Sequence, residues 1–298
     1  MHLGLGIGLT GGEPSAAPVS GTIAQHVGGL RQSASGLLTF SGSAAQKLGG
    51  LVQSASGALT FSGSASQKLG GLVQSASGMN PAPPLAIAGC KLWLRADQGI
   101  TVDGSNNVSQ WNDLSGNGFN FSESISADRL AYHTSGFATN STAYLANSNS
   151  GNQFITINNA ALELSQPFTI IWVGSVTATA SVQKMVSSSA SFIGTNGTSN
   201  DFEISSGTVL ASSTTVTSPC VVAFVSNGAS SAGYVNNSSS AVVSGNAGAG
   251  KLTSNGILSI GGSLGSHAEV LVYNSALSTA NLGTIFSYVA TRYGISAS

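Results

Sequence analysis

Asp201 and Glu203 are the two residues in this chain whose types and spacing come nearest to hydrolytic chemistry. They flank Phe202, so in a strand both carboxylates point to the same face. Retaining hydrolysis of a glycosidic bond needs two carboxylates about 5–5.5 Å apart. The same alternation is typical of a solvated acidic pair on an exposed strand, and we favour this second interpretation.

Two glycine-rich segments match catalytic or nucleotide-binding signatures. Residues 261–265 (GGSLG) match the nucleophile elbow G-x-S-x-G, and His267 follows closely. That elbow requires a turn from a strand into a helix, whereas this segment lies between two predicted strands. Residues 6–11 (GIGLTG) match G-x-G-x-x-G without a surrounding βαβ unit. We interpret both matches as chance in a chain with 39 glycines.

Carbohydrate binding would need an exposed aromatic ring with a polar tip. Trp172 lies in the apolar run 168–173, which predicts a core position. His133 has no partner nearby in sequence, and such a histidine is more often a satisfied surface or core residue than a ligand. The candidates for a carbohydrate-binding rim are Tyr132, Tyr144 and Tyr234.

Composition excludes several classes of protein. Only 6% of the residues are charged and the net charge is −1, against about 25% charged residues in ordinary globular proteins. The basic patch of a nucleic-acid binder is therefore missing. No polybasic run indicates a membrane surface, and no apolar stretch approaches the roughly 18 residues of a membrane-spanning helix. Apolar residues make up 41%, which argues against disorder.

The N-terminus predicts an assembly segment. It lacks the basic region and cleavage site of a signal peptide, and its apolar residues alternate with glycine in the extended pattern Leu3, Leu5, Ile7, Leu9. One apolar face of this kind could pair along the sheet edge of another protein. A frayed terminus is the alternative. Without a secretory signal, Cys90 and Cys220 are predicted to be free, buried thiols.

A 21-residue unit is written almost identically at residues 28–48 and 49–69 and begins again at 70–78. Each copy carries an i, i+2 apolar pair, first Leu38 and Phe40, then Leu59 and Phe61, which points to one face of a strand. One copy buries too little to offset its ordering entropy, so the copies must stack on each other or on another protein. The sequence leaves two arrangements of the repeats open: a threefold shaft, in which three chains share one core, and a strap along a capsid or tail surface. A flexible linker would need no such register.

Residues 79–87 are proline-rich and predict a semi-rigid linker. Beyond it, short apolar runs separated by Gly, Asn and Ser predict a two-sheet sandwich. The predicted strands are 91–95, 108–111, 154–157, 168–173, 184–187, 202–205, 220–226, 233–235, 241–243, 257–260 and 269–273. One helix is predicted near the C-terminus, with Ser278 as N-cap, Gly294 after its end and an apolar stripe of Leu282, Ile285, Phe286, Val289 and Tyr293.

Four segments resemble a known family. The sequences LWLRAD (92–97) and WNDLSGNG (111–118) are similar to the opening of concanavalin A-like (LamG-type) jelly-roll domains. YVNN (234–237) resembles that family's Tyr-Val-Asn-Gly turn, with Asn237 in the place of the left-handed glycine. VYNSALS (272–278) and YVATRYGI (288–295) are similar to the closing strand and helix of versions found in bacteriophage structural proteins. The resemblance spans residues 88–296.

The resemblance has implications for metal binding and catalysis. It implies core positions for Trp93 and Trp111. Relatives with the loop at 113–117 can hold Ca²⁺, which makes Asp97, Asp113 and Asn117 candidate ligands; we favour an Asx turn at Asp113. No other cofactor is predicted. Glucanases of the superfamily carry Glu-x-Asp-x-x-Glu, and Ser206 stands at its last position here, so the motif is incomplete.

These observations predict an all-β protein. Residues 1–17 are an anchoring segment, 18–78 an extended β-repeat arm, 79–87 the linker and 88–298 a concanavalin A-like jelly-roll sandwich with one C-terminal helix.

The predicted function is that of a non-enzymatic phage virion protein, either a tail or head fibre or a capsid decoration, assembled in the host cytoplasm. Its predicted partners are capsid or tail proteins, two further copies in a homotrimer, and a host glycan, with no nucleic acid and no membrane insertion. The alternative is a glucanase-like enzyme.

Overall fold

The computed structural model describes residues 83–147, 153–177, 182–197 and 199–298, together with five short strands between residues 19 and 62. It divides the chain into two compact units, Met1–Ala82 and Pro83–Ser298. In chain order the elements are β1 Val19–Ser20, β2 Arg31–Gln32, β3 Leu38–Ser41, β4 Val52–Gln53, β5 Leu59–Ser62, α1 Pro83–Ala86, β6 Cys90–Arg95, β7 Ile100–Val102, β8 Val108–Trp111, β9 Phe121–Ser122, β10 Ala131–Phe137, β11 Thr142–Asn147, β12 Ile155–Asn158, β13 Phe168–Val176, β14 Gln183–Ser187, β15 Phe192–Thr195, β16 Asp201–Ser205, β17 Val209–Thr215, β18 Cys220–Ser226, β19 Ser231–Val235, β20 Val243–Gly245, β21 Ile257–Ile260, β22 Gly265–Tyr273 and α2 Thr279–Tyr293.

In the N-terminal unit, successive copies of the repeat pair with each other as parallel strands. β1, β3 and β5 form one sheet, and β2 pairs with β4. Leu38 lies opposite Leu59 and Phe40 opposite Phe61, so the pairing is shifted by one repeat. Copies of the repeat therefore pair with each other within one chain. The sequence predicts that the copies stack either on each other or on another protein, and this pairing is of the first kind. The other predicted assembly residues, Leu3, Leu5, Ile7 and Leu9, lie outside the described residues.

The C-terminal unit is a sandwich of two antiparallel sheets. Sheet A has eight strands in the order β10-β11-β22-β13-β18-β19-β20, and β6 also pairs with β22. Sheet B has nine strands in the order β17-β16-β15-β14-β21-β12-β9-β8-β7. The core between the sheets contains fully buried aromatic residues, among them Trp111, Trp172, Phe121, Phe168, Phe202 and Phe224. The predicted all-β sandwich with one long C-terminal helix is confirmed.

Helix α2 packs on the outer face of sheet A. All five residues of its predicted apolar stripe are buried, and the hydroxyls of Tyr288 and Tyr293 donate hydrogen bonds to Glu269 of β22. The central strands of sheet A are consequently buried on both faces; Val221 and Val222, which point to opposite faces, are both fully buried. This explains why these strands are unbroken apolar runs in the sequence.

The ends of α2 follow the sequence signals. The Ser278 hydroxyl caps the N-terminus, and Gly294 ends the helix in the left-handed conformation with φ 69°. A contact that no local pattern predicts completes the C-terminus. The side-chain amide of Asn140, in the turn between β10 and β11, donates to the carbonyls of Thr291 and Arg292 at 3.1 and 3.0 Å. Because the last carbonyls of a helix lack partners within the helix, this hairpin stabilises the end of α2.

Each predicted strand overlaps an observed one, although 241–243 shares only Val243 with β20. Six strands are not predicted by the sequence: β7, β9, β10, β11, β15 and β17. Three of them, β7, β10 and β17, lie at sheet edges. An edge strand has a neighbour on one side only, and β17 buries none of its side chains. These edge strands form because they pair with a neighbouring strand, and no apolar run in the sequence marks them.

The turn after β19 differs from the sequence prediction. Asn236, with φ 53°, is the residue in the left-handed conformation, and Asn237 is not. The Asn236 carboxamide oxygen accepts a hydrogen bond from the backbone N–H of Val221 at 2.9 Å. The backbone N–H of Asn236 donates to the Val221 carbonyl. The placement of the left-handed residue at Asn237 is therefore wrong, because the asparagine that completes the pairing with β18 is also the one that turns the chain.

Part of the predicted linker lies within the C-terminal unit. Pro83–Ala86 form helix α1, Ile87 is buried, and the Pro84 carbonyl accepts a hydrogen bond from the Tyr273 hydroxyl at 2.9 Å. The division of the chain into four segments stays a prediction. Among the described residues, no helix has the length and apolarity needed to cross a membrane.

Candidate functional site

The candidate site lies on the outer face of sheet A, where β11 and β6 meet end to end along β22. Leu145 of β11 lies opposite His267, and Arg95 of β6 lies opposite Glu269, two residues further along β22. At about 3.4 Å per residue, these two points are about 7 Å apart. Leu145 belongs to the core between the sheets, so Tyr144 next to it points to the outer face.

Two aromatic side chains stack on each other at this edge of the sheet. His133 of β10 lies opposite Tyr144, and their rings stack with centroids 4.6 Å apart and planes 8° from parallel. His133 is exposed and Tyr144 is half-buried. The Phe137 ring packs 6.2 Å from Tyr144 and 5.6 Å from Tyr293 of α2. The stacked pair therefore rests on packed rings that extend to the helix.

Three ionic side chains lie beside the same junction. Arg95 donates from Nε to Asp97 at 2.7 Å, and Arg292 of α2 donates to the other oxygen of Asp97. Burial acts to raise the pKa of Asp97, but the guanidinium groups of Arg95 and Arg292 outweigh it and lower the pKa. Asp97 is therefore held as an anion. We call the set of His133, Tyr144, Arg95, Asp97 and Arg292 the junction site.

A buried carboxyl group holds α2 against the junction. Glu269 is fully buried and accepts hydrogen bonds from the Trp93 indole N–H, the Tyr288 hydroxyl at 3.1 Å and the Tyr293 hydroxyl at 2.7 Å. Burial raises its pKa, and the hydrogen bonds oppose that effect. Since Tyr293 follows Arg292 directly, this network also places the Arg292 guanidinium at the surface.

The structure brings only one of the three predicted sugar-binding tyrosines to this site. Tyr144 is part of it. Tyr132 lies opposite Leu145 and packs against the core between the sheets. Tyr234 lies on β19, four strands from β11 in sheet A, which places it roughly 19 Å away at about 4.8 Å per strand.

Sequence reasoning did not find His133, Arg95 or Arg292. His133 has no partner near it in the sequence because its partner Tyr144 lies across a hairpin. The two arginines come together only through Asp97, with almost 200 residues of chain between them. The single available signal was that charged residues are so rare in this chain that each one needs a reason.

The predicted Ca²⁺ ligands are engaged in separate hydrogen bonds. The Asp113 carboxylate accepts four, from backbone N–H groups and a hydroxyl, in the manner of an Asx turn. The Asn117 amide donates to the carbonyls of Cys90 and Lys91, and Asp97 pairs with the two arginines. Within the described part of the chain, no group of three His, Cys, Asp or Glu residues is placed to hold a metal ion. Ca²⁺ binding stays a prediction that these contacts do not favour.

The acidic pair on β16 is arranged as the sequence predicts, and Asp201 is poorly suited to be a general acid. Phe202 between the two acids is fully buried, so Asp201 and Glu203 share the opposite face. A hydrogen bond from the Ser199 hydroxyl at 2.6 Å is the main cause that lowers the pKa of Asp201, and Thr215 adds another. A general acid for glycoside hydrolysis needs a raised pKa.

The match to the nucleophile elbow has no catalytic geometry. It lies between strands β21 and β22, and both Ser263 and His267 are fully buried. His267 Nδ1 accepts a hydrogen bond from the Trp172 indole at 3.0 Å, and burial lowers the pKa of His267 to about 4. The elbow interpretation is excluded, as expected from the sequence.

Both cysteines are free thiols. Cys220 is fully buried within the core, whereas Cys90 is half-buried at the start of β6. Burial is the main cause that raises the pKa of each thiol to about 12. Neither therefore has the lowered pKa of a reactive cysteine.

No protein-family model matches the sequence, and no curated protein matches it. Among solved structures, the chain is similar to Trypanosoma rangeli sialidase in complex with the inhibitor DANA, at TM-score 0.46 and 13% identity, covering 65% of this chain and 32% of that chain. The binding domain of botulinum neurotoxin DC in complex with SialylT matches at TM-score 0.45 and 10% identity, with 67% and 51% covered. Domain 4 of AbnA, a GH43 extracellular arabinanase from Geobacillus stearothermophilus, matches at TM-score 0.47 and 15% identity, with 66% and 98% covered.

The chain thus spans about a third of the sialidase and about half of the toxin domain. Similarities at this level assign neither a family nor a function. The class that the structure itself defines is an all-β sandwich of two antiparallel sheets, covered on one face by a helix and carrying an aromatic and ionic site beside that helix.

Proposed function

We propose that this chain is a non-enzymatic structural protein of a tailed-bacteriophage virion with a lectin-like head. In this proposal the N-terminal repeats attach the protein to the capsid or tail, and the C-terminal sandwich binds a glycan on the host surface at the junction site. The observation that carries the glycan-binding part is the exposed stack of His133 on Tyr144 beside the anion of Asp97.

The chemistry of the junction site suits a sugar. A sugar ring has an apolar C–H face, which stacks on a flat aromatic surface, and a rim of hydroxyls. Asp97 accepts hydrogen bonds from hydroxyls, and the guanidinium groups beside it donate to them. The rings below Tyr144 and the network around Glu269 hold these groups in place before binding, which reduces the entropy cost of association.

The virion part of the proposal is supported by the arm and by the sequence resemblance. Stacked short repeats followed by a compact head are the layout of an assembly component, and the resemblance to concanavalin A-like domains of phage structural proteins points the same way. The protein would act as a tail or head fibre or a capsid decoration, as a homotrimer, after assembly in the host cytoplasm.

Binding to arrayed bacterial surface polysaccharides tests the lectin-like role. We expect the full chain to bind a subset of them, and Tyr144→Ala and His133→Ala to weaken binding about tenfold or more, equivalent to about 1.4 kcal/mol. Tyr234→Ala is the matched control, because Tyr234 is a half-buried tyrosine of the same sheet far from the site. Thermal unfolding of each variant shows whether the fold is kept. Equal losses in Tyr144→Ala and Tyr234→Ala, or no binding at all, would reject the proposal.

Electron microscopy of intact particles tests the virion role. A protruding stalk that carries the sandwich at its tip would support a fibre, and residues 1–80 spread over capsid subunits would support a decoration protein. Absence of the chain from purified particles would reject both.

A further inference from the structure

One lateral edge of the sandwich carries no charged side chain. Sheet A ends at β20 and sheet B ends at β17. The two edge strands lie close together, since a Cβ added at Gly245 of β20 would lie 3.6 Å from the Leu210 side chain of β17. Residues 204–250, which contain both strands, include no Asp, Glu, Lys or Arg. We call the surface formed by residues 209–215 and 241–245 the uncharged edge.

Strand β17 presents backbone groups that the sheet does not use. Among the described strands it pairs only with β16, so alternate residues direct their N–H and C=O groups away from the sheet. Proteins commonly protect an edge strand of this length with charged side chains or proline. Strand β17, Val209–Thr215, contains neither. It is therefore open to pairing with a strand of another chain.

Apolar side chains are only partly covered at the uncharged edge. Leu210 and Val243 pack against the core between the sheets and stay half-buried, and Val209 is 52% exposed. A partner bound here would remove this apolar surface from water. The acidic residues Asp201 and Glu203 lie one strand away on β16, where an interface has its polar rim.

The absence of charge indicates which partner fits this surface. Two identical surfaces that carry net charge repel each other when they meet, and the uncharged edge avoids that repulsion. The edge also offers two different edge strands on the same side of the sandwich. Strand β17 of one copy can therefore lie against β20 of the next, a heterologous contact that closes into a ring under threefold rotation.

We propose that the uncharged edge is the surface through which the sandwiches of three copies meet, with β17 of one copy pairing with β20 of the next. This inference rests on the proposed homotrimer and adds to it the contact between the heads. Strand β11, which carries Tyr144 of the junction site, lies five strands from β20 in sheet A, roughly 24 Å away at about 4.8 Å per strand. The three junction sites therefore face outward, where they bind a glycan surface together.

Hydrogen exchange in the full chain, measured at falling protein concentration, tests the contact. We expect amides of β17 to exchange about tenfold or more slowly in the assembly than after dilution to monomers, because pairing with β20 of the next copy protects them. Amides of β7, at the opposite edge of sheet B, should exchange at the same rate in both states.

The substitution Val209→Lys places a positive charge on the uncharged edge of every copy. We expect it to remove the protection of β17 and to raise the concentration at which half of the trimer dissociates by about tenfold or more, as measured by native mass spectrometry. Val102→Lys is the matched control, because Val102 is an exposed valine on the edge strand β7. It should dissociate like the natural chain. Thermal unfolding at low concentration shows whether both variants keep the fold.

Two results would count against the contact in different ways. A trimer whose β17 amides exchange at the monomer rate, and which Val209→Lys leaves intact, would overturn the uncharged edge as an interface and leave the homotrimer standing. A chain that stays monomeric at every concentration would reject both. Binding to arrayed polysaccharides tests the lectin-like role separately from either result.

Discussion

Single buried polar residues do much to specify this sandwich. His267 lies fully buried between the sheets as a neutral imidazole whose Nδ1 accepts a hydrogen bond from Trp172. On the other face of the same strand, Glu269 links Trp93 of β6 with two tyrosines of α2. Because buried polar groups are costly without partners, each contact favours one register and one helix position over the alternatives.

The burial of His267 predicts that stability falls in mild acid. Its pKa is lowered from 6.5 to about 4 in the folded chain, so as pH falls the unfolded chain binds the proton first. The stabilisation is complete above about pH 6.5 and is lost as pH falls through 4, by about 3 kcal/mol at 1.36 kcal/mol per pKa unit. Urea unfolding at pH 7, 5.5 and 4 measures it.

His267→Gln is the control for that measurement, because its side chain stays neutral over this range while the other titrating groups are unchanged. The free energy of unfolding of the variant should fall less between pH 7 and 4 than that of the natural chain, by about 3 kcal/mol. Parallel pH profiles for the two proteins would show that His267 does not titrate in this way.

At the scale of elements, α2 is the piece on which both the sheet and the junction site depend. Its apolar stripe covers sheet A, its last turn supplies Arg292, and its C-terminus is capped by Asn140 from the hairpin that carries His133 and Tyr144. The helix and the aromatic hairpin therefore stabilise each other. A change at the C-terminus of α2 should also shift the positions of His133 and Tyr144.

Two glycines of α2 predict opposite effects of the same substitution. Gly283 is a mid-helix residue where an added Cβ would meet only the Ser238 hydroxyl, at 3.4 Å, so Gly283→Ala should stabilise the protein by about 0.5–1 kcal/mol. Gly294 has φ +69°, and a Cβ there would lie 2.8 Å from Thr139 and 2.9 Å from Asn140. Gly294→Ala should therefore destabilise it by about 1 kcal/mol or more. Thermal unfolding of the two variants compares them, and shifts of the same sign would refute the assignment.

At the scale of the whole molecule, the chain consists of a repeat unit and a sandwich unit that are stabilised in different ways. The sandwich has its own core between two sheets. The repeats rely on stacking copy on copy, with paired positions one repeat apart. Three stacked copies are near the lower limit for a stable array of this kind, which favours further burial against other chains.

We expect the full chain to be a homotrimer, with a native mass three times its 29.6 kDa. Native mass spectrometry measures this directly. The double substitution Phe40→Asp and Phe61→Asp puts like charges at directly paired positions, so it should disrupt the arm and yield monomers. Hydrogen exchange in β13, β18 and β22 should stay unchanged in that variant. A monomeric natural chain would contradict the prediction.

Much of the fold can be predicted from the sequence. The 21-residue register, the unbroken apolar strands such as β18, the caps of α2 and the burial of Trp172 all follow from local patterns. They do so because alternation, apolar runs and capping residues act over a few neighbouring positions. The repeat is an extreme case, since its pairing partner is a copy of itself at a fixed distance along the chain.

Only the tertiary structure decided the junction site and the edge strands. His133 meets Tyr144 across a hairpin, and Arg95 meets Arg292 across almost the whole sandwich, so no local pattern marks them. The left-handed turn at Asn236 likewise depends on its bonds to β18. Exposed residues and strands with few apolar side chains have no recognisable pattern in the sequence. Their positions are determined by the neighbouring strands with which they pair.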